Sequence, residues 1–298
     1  MSGGGTKGSF EAGALWQMAR MLNGTDMHYD VLSGISVGAI NSAAFSLFPK
    51  GKELEATDFL KDIWMNMKSE DVYADWPGFV PYQAIVNKSS LYDTSPLHNY
   101  LQTKLDEHNG TLNRKMMTAA VDVETGQFVV TDFDDLKPDE FVDGIVTSAS
   151  VPFVFPPTKF RGKYLMDALS CGWNVNMLSA IEKCMEIVDD PSNIIVDIIV
   201  MYPETNQRLN ETDQSTFENY MRANSLHSYY VLLSDIYAFM RTYPEVQYRY
   251  FVQASEDPLP PWELLNFTEE NAERGIKLGI KDSKRTIEMG FGEAFKRF

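Results

Sequence analysis

Residues 29 to 45, "YDVLSGISVGAINSAAF", read as a short apolar strand, a glycine-flanked turn and an Ala-rich helix. The turn Gly34-Ile35-Ser36-Val37-Gly38 fits the pattern G-x-S-x-G. Such a turn bends the backbone sharply past the serine, so the positions two before and two after it must lack bulk. Gly34 and Gly38 meet that need. Ser36 then projects at the start of a helix, whose dipole favours developing negative charge.

A strand that feeds a helix through a tight turn is a building unit of α/β domains, and the chain continues in that manner. Strand patterns occur at 28 to 32, 116 to 123, 128 to 133, 163 to 167 and 194 to 202. The last, "IIVDIIVMY", carries Ile and Val on both faces and is expected to be a fully buried, parallel strand. Glu124-Thr125-Gly126 reads as a hairpin turn. Helical periodicity covers 9 to 22, 37 to 48, 53 to 67, 95 to 107, 175 to 187, 215 to 242 and 268 to 289, with Ser95 and Pro96 as a helix start. No internal repeat or low-complexity linker divides the 298 residues, which are expected to form one domain. The segment 71 to 86 sets Tyr73, Trp76, Phe79 and Tyr82 among prolines. It is read as a loop packed on its own aromatics, with a lid or lipid-facing loop as the alternative.

The net charge of −16 argues against nucleic acid as a partner, because phosphate contacts require clustered Lys and Arg. It also disfavours strongly anionic membranes. Cys171 and Cys184 are the only cysteines, too few for a disulfide framework or a cysteine zinc site. No apolar run reaches membrane-spanning length and the first residues do not read as a signal peptide, so the chain as given is expected to be soluble, cytoplasmic or peripheral to a membrane. Five glycosylation sequons, at Asn23, Asn87, Asn109, Asn210 and Asn266, keep open a secreted protein whose leader lies outside this sequence.

A serine hydroxyl needs a base to become a nucleophile. His98, His108 and His227 follow Ser36, yet all three fall on helical patterns that suit surface or packing roles. An aspartate can serve if it is held beside the hydroxyl and partly desolvated. Asp167, at the end of the strand pattern "KYLMD", could leave the sheet at the edge where Ser36 lies.

Gly3-Gly4-Gly5-Thr6-Lys7-Gly8, Gly34-Ile35-Ser36-Val37-Gly38 and Asp167, in that order, resemble the patatin-like phospholipases, with their G-G-G-x-[RK]-G loop, G-x-S-x-G elbow and D-G-[GA] motif. "SSLYDTSPLHNYL" (89 to 101), "SASVPFVFPP" (148 to 157) and "LLNFTEENAERGIKLG" (264 to 279) extend the resemblance over nearly the whole chain. It implies a three-layer α/β/α fold with a central, mostly parallel sheet. It also implies hydrolysis of phospholipid or acylglycerol esters by Ser36 as nucleophile and Asp167 as base, without metal or cofactor. The amides of Gly3, Gly4, Gly5, Thr6, Lys7 and Gly8 would then form the oxyanion hole, with the Lys7 side chain either screening a lipid phosphate or standing as a solvated loop lysine.

The chain departs from that pattern in three places. Ala168 follows the aspartate where the family has glycine, so a turn needing positive φ would be strained there. Asn176 stands where a proline is frequent. Only Met1 and Ser2 precede Gly3, where the family has a buried core strand, so that strand is expected to be missing. These departures support an alternative reading as a weak or inactive lipid-binding relative. A further reading takes Gly3, Gly5 and Gly8 as a dinucleotide fingerprint with Asp26 or Asp30 on the ribose, but no strand precedes those glycines.

Overall fold

The computed structural model describes residues 1–78, 86–203, 215–259 and 263–297. A 3-10 turn, Gly5–Lys7, leads into α1 (Gly8–Met21). Strand β1 (Val31–Gly34) passes through Ser36 into α2 (Val37–Ser46). Helix α3 (Glu53–Asn66) and the single turn α4 (Ser69–Val72) precede two short paired strands, β2 (Ala74–Asp75) and β3 (Tyr92–Asp93). Then come α5 (Ser95–Asp106), the hairpin β4 (Lys115–Asp122) and β5 (Phe128–Asp132), and α6 (Phe141–Ala149). A second hairpin, β6 (Thr158–Phe160) and β7 (Lys163–Asp167), is followed by α7 (Met177–Met185) and β8 (Ile195–Val200). Helix α8 (Thr216–Thr242), β9 (Gln247–Gln253) and α9 (Glu269–Met289) follow.

Strand β4 organises the larger sheet. All of its residues after Lys115 are buried, as a strand covered on both faces requires. Thr118 pairs with Gly34 of β1 and with Thr131 of β5, so β1 and β5 take opposite edges of β4. Ala120 pairs with Val129 of β5 and with Asp167 of β7, so β7 shares the β1 edge. Strand β1 runs parallel to β4 and β7 runs antiparallel to it. Their C-terminal ends therefore converge from opposite directions on one edge.

Strands β8 and β9 pair in parallel as a second, two-stranded sheet. Ile199 and Val252 face a core shared with α1 and α9, while Ile198 and Val200 face one shared with α7 and α8. This alternation puts helices on both faces, an α/β/α arrangement. Met1 and Ser2 bridge the two sheets. The Met1 amino group donates to the Ser33 carbonyl (2.7 Å), Ile35 N–H to the Met1 carbonyl (3.3 Å), and Ser2 N–H to the Ile199 carbonyl (3.2 Å).

The layered α/β/α expectation agrees with this architecture, but the sheet is mixed rather than mostly parallel: β4 pairs antiparallel with β5 and β7, and β6 with β7. Strand β1 lies at 31 to 34 instead of 28 to 32, because it runs straight into the turn. Strand β8 is parallel as expected yet only half buried, with Ile195 46% exposed. At the start of α5 it is Asp93 that accepts the Ser95 N–H (3.1 Å) and hydroxyl (2.8 Å). Within the aromatic segment, Tyr73 donates to the Leu265 carbonyl (3.0 Å) and packs its ring at a tilt against Tyr92, and the Trp76 indole donates to Ser90 O (3.2 Å). Phe79 and Tyr82 lie outside the described residues.

Candidate active site

Ser36 links the end of β1 to α2 with φ 55° and ψ −128°, a conformation that costs a non-glycine residue about 1–3 kcal/mol and persists only where its surroundings enforce it. The enforcement is visible. Ser36 N–H donates to the Ser148 hydroxyl (2.9 Å), which itself donates to the Ala119 carbonyl (2.6 Å). Across the turn, a Cβ on Gly34 would lie 2.1 Å from the Gly38 carbonyl, so the chain folds back on itself with no room for a side chain.

Asp167 ends β7 and is completely buried. Its N–H donates to the Ser150 carbonyl (2.9 Å), and its Oδ1 accepts from Leu169 N–H (2.8 Å). Oδ2 makes no hydrogen bond of normal geometry. Burial raises this carboxyl to a pKa of about 7; the Ser36 hydroxyl that it faces and the Leu169 amide pull in the opposite direction. Near neutral pH the group is thus divided between its two protonation states, and its ionised form holds an unengaged oxygen beside a serine.

Ala168 is not strained. It opens a short 3-10 turn (Ala168–Cys171), is absent from the residues of positive φ, and buries its methyl group against Ile35, Ala119 and Val121. The left-handed position in this turn is Gly172, with φ 100°. Asn176 gives its carbonyl to the Ser33 hydroxyl (3.0 Å) and its Oδ1 to Ser179 at the start of α7 (2.7 Å).

The six residues of the N-terminal glycine turn do not present six free amides. Gly3 N–H donates to Asn174 Oδ1 (2.8 Å), Thr6 N–H to the Leu264 carbonyl (3.1 Å), Lys7 N–H to the Gly4 carbonyl (3.2 Å), and Gly8 N–H to carbonyls of the turn itself. Gly4 and Gly5 have no such acceptor among the described residues. The turn approaches the serine closely: a Cβ on Gly3 would lie 2.9 Å from Ser36 Cβ. Lys7 is engaged in an ion pair with Asp257 (2.6 Å).

A buried polar chain that the sequence reading did not identify supports this turn. Glu11 on α1 accepts from Ser2 N–H (2.7 Å) through Oε1 and from Asn41 Nδ2 (2.8 Å) through Oε2, and Asn41 Oδ1 accepts the Trp64 indole N–H (2.9 Å). Burial raises the Glu11 carboxyl to about 7 against the pull of the Met1 amino group, Asn41 and Ser2. The first residues of the chain, the nucleophile helix α2 and α3 are thereby tied together.

A largely apolar cavity of about 50 Å³ opens beside Ser36, Gly5 and Val37, with Trp64, Phe155 and Phe267 among its walls. Larger cavities of about 100 and 230 Å³ lie between β1 and β8 and are lined by neither Ser36 nor Asp167. None of the three histidines that follow Ser36 lines the cavity beside it. His98 faces Asp143 (3.5 Å), His108 packs on Phe48 and Phe59, and His227 is exposed on α8 near Gly172. Asp26 and Asp30 precede β1, at the end opposite Ser36, and pair with Arg249 and Lys50, which removes the geometric basis for a dinucleotide site.

The family profile described as patatin-like phospholipase matches residues 1–169. A cGAMP-activated phospholipase of Escherichia coli (strain TW11681) is 24% identical over 174 residues, covering 53% of this chain and 46% of that protein. The match thus spans less than half of that relative's length. Among solved structures, VipD from Legionella pneumophila aligns at a TM-score of 0.42 and 13% identity, over 97% of this chain and 66% of the other.

Proposed function

The chain belongs to the patatin-like phospholipase family, and from that premise we propose that it is a lipid acyl hydrolase of the phospholipase A or acylglycerol lipase type. The observation that carries this reading is the strained Ser36 facing the buried Asp167, whose Oδ2 is unengaged. In the proposed reaction the Ser36 hydroxyl oxygen attacks the ester carbonyl carbon while Asp167 accepts its proton. The N–H groups of Gly4 and Gly5 receive the charge that develops on the carbonyl oxygen, aided by the N-terminal end of α2. Collapse breaks the ester bond, Asp167 returns the proton to the leaving alcohol, and the acyl group remains on Ser36. Water, deprotonated by Asp167, then attacks the acyl carbonyl carbon; the bond to Ser36 breaks, the serine oxygen takes the proton back from Asp167, and the fatty acid is released.

The substrate would come from a membrane or lipid droplet surface through peripheral contact. Phe153, 64% exposed, sits between Val151 and Phe155 of the cavity wall and is suited to enter the lipid interface. Among the described residues no helix is long and apolar enough to cross a membrane.

The second reading, a lipid-binding relative with little or no activity, is favoured by the glycine turn, where four of the six amides are already spent on internal hydrogen bonds. Reaction with a fluorophosphonate ester separates the two, because labelling requires an activated serine. We expect labelling and p-nitrophenyl ester hydrolysis in the parent, loss of both in Ser36→Ala, and little change in Ala168→Gly. An unlabelled parent that nevertheless binds lipid would favour the second reading.

A further inference from the structure

Behind the cavity at Ser36 lies another, of about 20 Å³, also apolar. Ile40 lines both. Helix α3 gives Trp64 to the first and Ile63 to the second, and α5 gives Leu97 to the first and Leu101 to the second. Along α2 and its two capping residues, Ser36, Ile40, Ala43, Ala44 and Leu47 recur at helical spacing, so the serine and the far cavity lie along one helix face. The small side chains at Ala43 and Ala44 leave space there, whereas Ile40, half buried and one turn beyond Ser36, stands between the two spaces.

We propose that the acyl chain of the substrate, its carbonyl at Ser36, runs along this face of α2, and that Ile40 is the specificity-determining partition that decides whether it reaches the second cavity. This rests on the acyl-hydrolase reading. It adds that the site selects its ester by acyl length, taking chains that end at Ile40 in preference to longer ones. An alkyl chain is the ligand that such walls suit, since they are almost wholly apolar, with polar side chains only at Ser36, Tyr100 and Lys104.

The test compares p-nitrophenyl esters from butyrate to palmitate on the parent, Ile40→Ala and Ala43→Leu, the last filling the far cavity without touching the near one. In parallel, free fatty acids of the same lengths compete against a fluorescent fatty acid, which reads the path without chemistry. Fluorophosphonate labelling of Ser36 reports the hydrolase reading separately. We expect Ile40→Ala to move the optimum of kcat/KM, and of competition, to chains longer by about four carbons, roughly one helical turn. Combined with Ile40→Ala, Ala43→Leu should cancel that gain. Identical length profiles in folded parent and variants would overturn the proposal. Absent labelling and hydrolysis would overturn the hydrolase reading alone, leaving the competition profiles to decide the path.

Discussion

Gly34 and Asp167 stand opposite residues only two apart on a single edge of β4, the first against Thr118 and the second against Ala120. Two β residues span about 6.7 Å. The parallel strand therefore delivers the serine turn, and the antiparallel strand delivers the carboxylate, to almost the same point. Their separation is governed by strand register rather than by loop conformation, which is how a rigid scaffold holds reacting groups.

Asp167 must be ionised to accept a proton, and burial sets its pKa at about 7. kcat/KM is therefore expected to fall about tenfold per pH unit below that value and to level off above it. Asp167→Asn should lose about 10²–10⁴ in rate and the acid limb with it. A pH–rate profile of both proteins, with a soluble ester, checks this; an unchanged limb in the variant would assign the titration elsewhere.

Gly5 has φ +58°, and a Cβ there would lie 2.4 Å from the Leu264 carbonyl oxygen. Gly5→Ala is expected to displace an amide proposed to bind the oxyanion and to lower kcat by about 10²–10³ with a much smaller change in KM. Steady-state kinetics decide it. Gly24→Ala, which meets nothing within 4 Å, is the control.

Removing the Ser148 hydroxyl leaves the buried Ser36 N–H without its acceptor. Ser148→Ala should cost about 1–3 kcal/mol in urea unfolding and slow the labelling of Ser36 by a fluorophosphonate, because the turn loses the bond that holds its unfavourable dihedrals.

Glu11 and Asp167 are raised by burial from ordinary values of 4.5 and 3.8 to about 7 each. Between these limits the folded chain binds more protons than the unfolded one, so their contribution to stability declines as pH rises from about 4 to 7 and is fully lost above that. Thermal unfolding should accordingly occur at a higher temperature at pH 5 than at pH 8. Glu11→Gln combined with Asp167→Asn should flatten the difference.

Phe153→Asp is expected to weaken sedimentation with phosphatidylcholine vesicles while leaving hydrolysis of a dispersed short-chain ester intact, since the ring is exposed and outside the reacting groups. Equal loss of both would make the ring part of the cavity rather than of a lipid contact.

Ser36 and Asp167 were legible because each belongs to a short local pattern: a strand, a turn of small residues, and a helix or a second turn. Ser148, Asn174 and Glu11 were not, because their role arises from contacts across the fold. Ser148 lies 112 residues from the amide it supports, and Asn174 lies 171 from Gly3. Among the elements, α6 escaped notice because "FVDGIVTSA" combines β-branched residues with Gly144, a poor helix composition. Packing overrides it, since a Cβ at Gly144 would come within 2.9 Å of Leu136. Strand β9, "QYRYFVQ", hid its burial behind polar residues: Arg249 is satisfied internally by Asp197 and Gln253 is almost fully buried. The antiparallel placement of β7 was equally invisible, because pairing direction depends on a partner more than forty residues away.

The bonds from Met1 and Ser2 to Ser33, Ile35 and Ile199 form a seam between the two sheets, inside a core that Leu32, Phe45, Ile199 and Val252 share, and the glycine turn hangs directly from that seam. Slight shear between the sheets would carry Gly4 and Gly5 away from Ser36 before that shared core opened. In rising denaturant, esterase activity should therefore vanish at a lower concentration than helical content, with the seam acting as a fuse for the chemistry rather than for the fold.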